Sequence, residues 1–147
     1  MKKFLSLSLA LTLAVTSIFA NNEIGQKVMD SFKKEFAQAQ DVKWESSKDL
    51  AKATFKLNEQ VMVAYFTEAG DLVAVTRNLT VSQLPINLQS SMKKGNPDSW
   101  LTDLFEVSTG DETSYFVTLH TSTQVTVLKS VGSQGWTTYK KEKKKAE

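Results

Sequence analysis

The sequence predicts an α+β fold: tandem helix-plus-four-strand repeats that form one antiparallel sheet, with two helices packed on one face. Three observations predict it. Two stretches carry apolar residues at helical spacing, and each is followed by a series of alternating, strand-like runs. Turn residues punctuate those runs at hairpin spacing. The two halves also align with one another: Val28, Phe32, Lys33 and Lys34 fall on Leu88, Met92, Lys93 and Lys94, and Val61-Met62-Val63 falls on Val125-Thr126-Val127.

Each element follows from its own pattern. Ile24, Val28, Phe32 and Phe36 recur every fourth residue, with Met29 beside them, so Glu23 to Ala39 is expected to be an amphipathic helix. Asn21 or Asn22 is suited to cap it. Val42 and Trp44 alternate with charged neighbours, as do Ala51, Ala53, Phe55 and Leu57; this period of two buries one face and wets the other. Asn58-Glu59-Gln60 is expected to turn. Val61 to Phe66 is apolar on both faces, as a central strand is. Gly70 lies in a second turn, and Leu72 to Thr76 is a further strand.

The pattern then restarts. Ser82 is expected to cap a second helix, Pro85 to sit in its first turn, and Leu84, Leu88 and Met92 to form its stripe. Gly95-Asn96-Pro97 stops it. Strands are expected at Leu101–Val107, around Tyr115–Leu119, at Val125–Leu128 and at Trp136–Tyr139. One helix on four strands has little core. Two such units side by side share one sheet and leave its other face open.

The first residues, MKKFLSLSLALTLAVTSIFA, have a basic start, an apolar middle and a small residue before a cut after Ala20. They read as a secretory signal peptide, residues 1–20. The working chain is then 21–147, with repeats at about 22–80 and 81–141 and a Lys-rich tail. Without Lys2 and Lys3 the chain has 16 basic and 16 acidic residues, so its formal +2 vanishes. That balance argues against a nucleic-acid partner. No later stretch is apolar enough for stable membrane insertion. Cysteine is absent. An exported domain without disulfides fits a bacterial envelope, periplasmic or secreted.

The order of motifs resembles a known family. Val28-x3-Phe32-x3-Phe36 is followed by Val42-Lys43-Trp44. Leu84-Pro85 opens the second helix and Asn96-Pro97 closes it. Tyr115-Phe116-Val117-Thr118-Leu119, Val127-Leu128-Lys129-Ser130, Trp136 and Tyr139-Lys140-Lys141 complete the series. Together these resemble the PepSY-like exported proteins of Bacteroidetes, grouped with the beta-lactamase-inhibitor-protein (BLIP) fold. The resemblance covers essentially the whole chain after the signal. It implies a tandem helix-plus-sheet fold, no catalytic residues, and related inhibitors that hold a target enzyme against the open sheet face and its hairpin loops.

Chemistry-bearing constellations are sparse. His120 is the single histidine, and a Ser–His–acid set would have to use it as base, with no nucleophile motif beside it. Glu68 with Asp71, and Asp111 with Glu112, are turn acids without the ligand spacing of a calcium loop. No catalytic, metal or cofactor residue is assigned. The expectation is a non-enzymatic exported binding protein acting on another envelope or secreted protein, with a homodimer as one use of the same surface. The alternative is a binder of a small ligand or envelope component in a groove between the repeats. Because several strands are apolar on both faces, Met62, Phe66, Phe116 and Trp136 are expected on the open face as binding residues.

Overall fold

A computed structural model describes residues 23–145. The expected signal peptide, residues 1–20, lies outside them. Helix α1 (Gln26–Glu35) precedes strands β1 (Gln40–Ser46), β2 (Leu50–Leu57), β3 (Gln60–Thr67) and β4 (Leu72–Asn78). A short 3-10 turn (Val81–Gln83) leads to helix α2 (Ile86–Gly95). Strands β5 (Trp100–Thr109), β6 (Glu112–His120), β7 (Gln124–Val131) and β8 (Thr137–Lys143) follow. All eight strands form one sheet in sequence order, antiparallel throughout. No helix among the described residues is long and apolar enough to cross a membrane.

The two helices stop for the same local reason. Phe36 and Asn96, each just past a ten-residue helix, leave helical geometry at φ −128°, ψ 54° and φ −142°, ψ 59°. The chain then turns straight into a strand. Helix α1 is therefore shorter than its apolar stripe predicts, with Gly25 at its start and Phe36 packing on the core from outside the helix, whereas α2 ends at Gly95 as expected. The start of α2 also differs from expectation. A residue before proline is pushed out of helical geometry, and Leu84 is extended at φ −70°, ψ 153°. The helix therefore begins after Pro85. Ser82 lies instead within the 3-10 turn, which Thr80 caps: its N–H donates to Gln83 Oε1 at 2.8 Å.

Each helix buries two residues on the sheet, Val28 and Phe32 in α1, Leu88 and Met92 in α2. The cores beneath them differ. Under α1, Phe32, Phe36, Trp44, Phe55 and Phe66 meet ring against ring at centroid distances of 4.7–6.3 Å. Ala51, Ala53 and Ala64 supply the sheet floor and leave the rings their room. Under α2 the core is aliphatic: Leu79, Leu84, Leu88, Met92, Leu104, Val117, Leu119 and Leu128. Trp136 closes its edge, its indole N–H donating to the Leu88 carbonyl at 2.9 Å.

Strand register fixes every face. Asn58 and Glu59 form a two-residue turn with positive φ at both, the twist a tight hairpin needs. Leu57 then pairs with Gln60, and Phe55, Ala53 and Ala51 stand beside Met62, Ala64 and Phe66 on the helix side. Gly70, at φ +91°, allows the β3–β4 turn to lie against α1. A Cβ there would stand 2.8 Å from the Lys27 carbonyl oxygen.

The halves join where β4 meets β5. Four residue pairs make this ladder, Val75–Asn78 against Phe105–Ser108. On the helix side of the seam, Arg77 holds Glu106 with two hydrogen bonds of 2.8 and 3.0 Å, and its third nitrogen donates to Gln60 Oε1 at 3.2 Å. The Glu106 hydrogen bond raises the Arg77 pKa above its ordinary value.

Candidate functional site

Among the described residues, no layer covers the face opposite the helices. In the second half it is aromatic. Phe105 and Phe116 are cross-strand partners on β5 and β6, and their rings stack at 5.2 Å with 9° between planes. Tyr139 meets Phe116 edge-on at 5.4 Å. It lies at the β-bulge between the Val127–Lys140 and Leu128–Thr138 pairs, where the extra residue is re-aimed. Trp100 and His120 pair at the end of the same ladder, rings 6.0 Å apart. Lysines border the patch. Lys129 lies over Phe116 at 5.6 Å and Lys144 over Trp100 at 4.8 Å, its ammonium also donating to the Thr121 carbonyl at 2.6 Å. Trp100 is 51% exposed and Tyr139 48%.

Beside the patch, the centre of the open face is closed by neighbours rather than by a layer. Ala74, Val107 and Ser114 belong to neither helix-covered core, yet they are 5–6% exposed. They are smaller side chains standing between the larger Tyr65, Phe105 and Phe116. Those larger rings are themselves half-buried.

The register corrects three of the four expected binding positions. Met62 and Phe66 face the helices; Phe66 is 0% exposed at the centre of the aromatic core. The open-face residues of β3 are their neighbours Val61, Val63 and Tyr65. Trp136 is not in a strand at all: it precedes β8 and its indole is held on the α2 side by the Leu88 carbonyl. Phe116 lies on the open face. The alternating pattern of β2 contained the signal for β3, because a two-residue turn after Leu57 sets the parity of the next strand. A turn of three residues does not. Phe105, Trp100 and Tyr139 were missed as surface residues because nothing local in β5 or β8 tells the two faces apart.

His120 stands beside Trp100, and no nucleophile hydrogen-bonds to it among the described residues. No cluster of three or more metal-ligating side chains forms among the described residues. Two surface hollows border Val42 of β1, and a third lies by the β2–β3 turn at Asn58 and Glu59, all in the first half. The seam on the helix side is occupied by Arg77, Glu106 and Gln60.

Comparison with known proteins agrees on architecture. No family profile and no curated protein sequence matches the chain. Among solved structures, a BLIP-like protein from Bacteroides fragilis superimposes with a TM-score of 0.73 at 16% identity, covering 83% of this chain and 87% of that one. A DUF2874 family protein from Bacteroides ovatus gives 0.73 at 15% identity, covering 83% and 89%. A candidate periplasmic protein from Bacteroides eggerthii gives 0.72 at 12% identity, covering 83% and 90%. With two helices on one side of an eight-stranded antiparallel sheet, the chain has the BLIP-like fold.

Proposed function

We propose that this chain is a non-enzymatic exported binding protein, PepSY-like in family, that holds another envelope or secreted protein against the open sheet face of its second half. An inhibitor or modulator of an enzyme is the form of binding that the BLIP-like fold suggests. The observation that carries the reading is the aromatic row on the uncovered face, with Trp100 and Tyr139 exposed and the stacked Phe105 and Phe116 half-buried between them. Stacked cross-strand rings steady the sheet, but Trp100 and Tyr139 leave about half their surface to water, and exposed large aromatics grouped on one face are the material of binding hot spots. The neighbour from Bacteroides eggerthii supports a periplasmic location. The alternative, a ligand held in a groove between the repeats, draws less support, because the hollows described above lie in the first half.

The test is retention of a partner from envelope extract by the purified protein and by a Phe105→Glu, Phe116→Lys variant. The scaffold already accepts such a pair, since Glu45 and Lys52 are cross-strand neighbours in the first half. A specific partner is expected to be held by the wild type and lost by the variant, with the circular-dichroism spectrum unchanged. Equal retention by both, or retention by neither, overturns the proposal.

A further inference from the structure

The second feature that asks for a partner is the free edge at β8. Its seven residues are all exposed, and among the described residues no strand lies beyond it. Five lysines fall between Lys140 and Lys145, with Glu142 the single acid. Lysine on an edge strand discourages pairing with a neutral or basic strand. The same row selects an acidic one.

The ladder shows which backbone groups are available. Lys144 N–H donates to the Thr123 carbonyl at 2.8 Å. Hydrogen-bonded and non-bonded pairs alternate along an antiparallel ladder. Glu142 opposite Val125 and Lys140 opposite Val127 are therefore bonded inward to β7. Lys141 and Lys143, opposite Thr126 and Gln124, turn their N–H and C=O outward. Their side chains lie on the helix side of the sheet, and neither makes an ion pair among the described residues. Lys140 lies on the opposite side, paired with Glu142 at 2.7 Å. Lysines thus flank the edge above and below, which suits a ligand lying along the edge and not a flat anionic surface.

We propose that β8 is a docking edge for an extended acidic peptide segment, added as a ninth strand with an acid at every second position, opposite Lys141 and Lys143. The backbone of the segment bonds to the outward groups of those two residues. Its acids meet their ammonium groups, and its alternate residues pass over Tyr139 toward the aromatic patch.

The test uses the purified protein and two synthetic peptides of identical composition. One has Glu at every second position with Val between; the other has the Glu residues grouped at one end. Affinity is read by calorimetry and the edge by amide hydrogen exchange. The alternating peptide is expected to bind, to protect the Lys141 and Lys143 amides, and to weaken about tenfold in a Lys141→Glu, Lys143→Glu variant. A Lys-Val alternating peptide is expected to bind that variant and not the wild type. The Phe105→Glu, Phe116→Lys variant is expected to keep the acidic peptide, which separates this edge from the open-face proposal. Equal binding of the grouped peptide overturns the inference. So does protection confined to the open face, or association with phosphatidylglycerol vesicles or polyphosphate without protection of Lys141.

Discussion

The two halves share a backbone and exchange their chemistry. Both helices run ten residues and begin 60 positions apart. Both first strands carry a bulge at the same place, between Gln40 and Lys43 and between Leu101 and Asp103. By the same offsets, the Glu45–Lys52 pair of the first half corresponds to the Phe105–Phe116 pair of the second. The first half therefore gathers five rings inside and sets an ion pair of 2.6 Å at the matching open-face positions, where Tyr65 of β3 also stands. The second holds aliphatic side chains inside and stacks its rings on the open face. The lesson is that one scaffold position tolerates either chemistry, so the aromatic ladder is not a demand of the fold.

Substitutions can break or sharpen this contrast. The largest effect is expected from Phe66→Ala, which opens a cavity among five rings and costs about 3–5 kcal/mol in urea unfolding. The aliphatic counterpart, Leu88→Ala, is expected to cost about 2–5 kcal/mol, and equal coupling of neighbours in the two cores would contradict their difference. A double-mutant cycle on Phe32 and Phe55 is expected to show about 0.5–1.5 kcal/mol beyond burial alone. Next comes Ala53→Leu. Its methyl floor lies under the rings, and overpacking is expected to cost about 1–3 kcal/mol.

The seam gives a smaller and pH-sensitive effect. Arg77→Met leaves Glu106 without its bidentate partner and is expected to cost about 1–2 kcal/mol, the value reduced because the pair is partly exposed. The Arg77 pKa is raised, so its contribution is complete below the ordinary arginine value and is lost only as pH rises through the raised one. Titration of Arg77 itself is therefore expected to leave unfolding midpoints flat through neutral pH. The smallest effect is Lys52→Ala, expected to change stability by about 0–1 kcal/mol, as an exposed pair does. If the Glu45→Phe, Lys52→Phe variant acquires the partner of the second half, the patch is transferable and the contrast is one of surface alone.

Much of this fold could be read in the chain. Helical spacing in Val28–Phe32 and Leu88–Met92 located the helix faces, and those four residues are the ones each helix buries. Alternation in Ala51, Ala53 and Phe55 located one sheet face. The binding face was less legible. Val61–Phe66 is apolar on both sides, so its parity depends on turn length and pairing, which are not properties of the segment itself. Trp136 looked like strand because its neighbours do; its indole N–H found a carbonyl 48 residues earlier. The last strand was expected to end at Tyr139 with a Lys-rich tail beyond it, and β8 extends through Lys143 because Val125 and Gln124 still offer a ladder there.

The sequential order of the strands has a kinetic consequence. Each strand of a half pairs with the one made just before it, which keeps loop-closure costs low and favours rapid folding of that half. The exception is the step from β4 to β5, which must wait for α2. During that wait β4 is an uncovered edge, and chains emerging together are at risk of pairing through it. Arg77 then stands on β4 with no Glu106 to meet. An inward-pointing charge is one of the devices that keep sheet edges from aggregating. The residue that ties the halves in the finished protein thus also guards the first half until the second arrives.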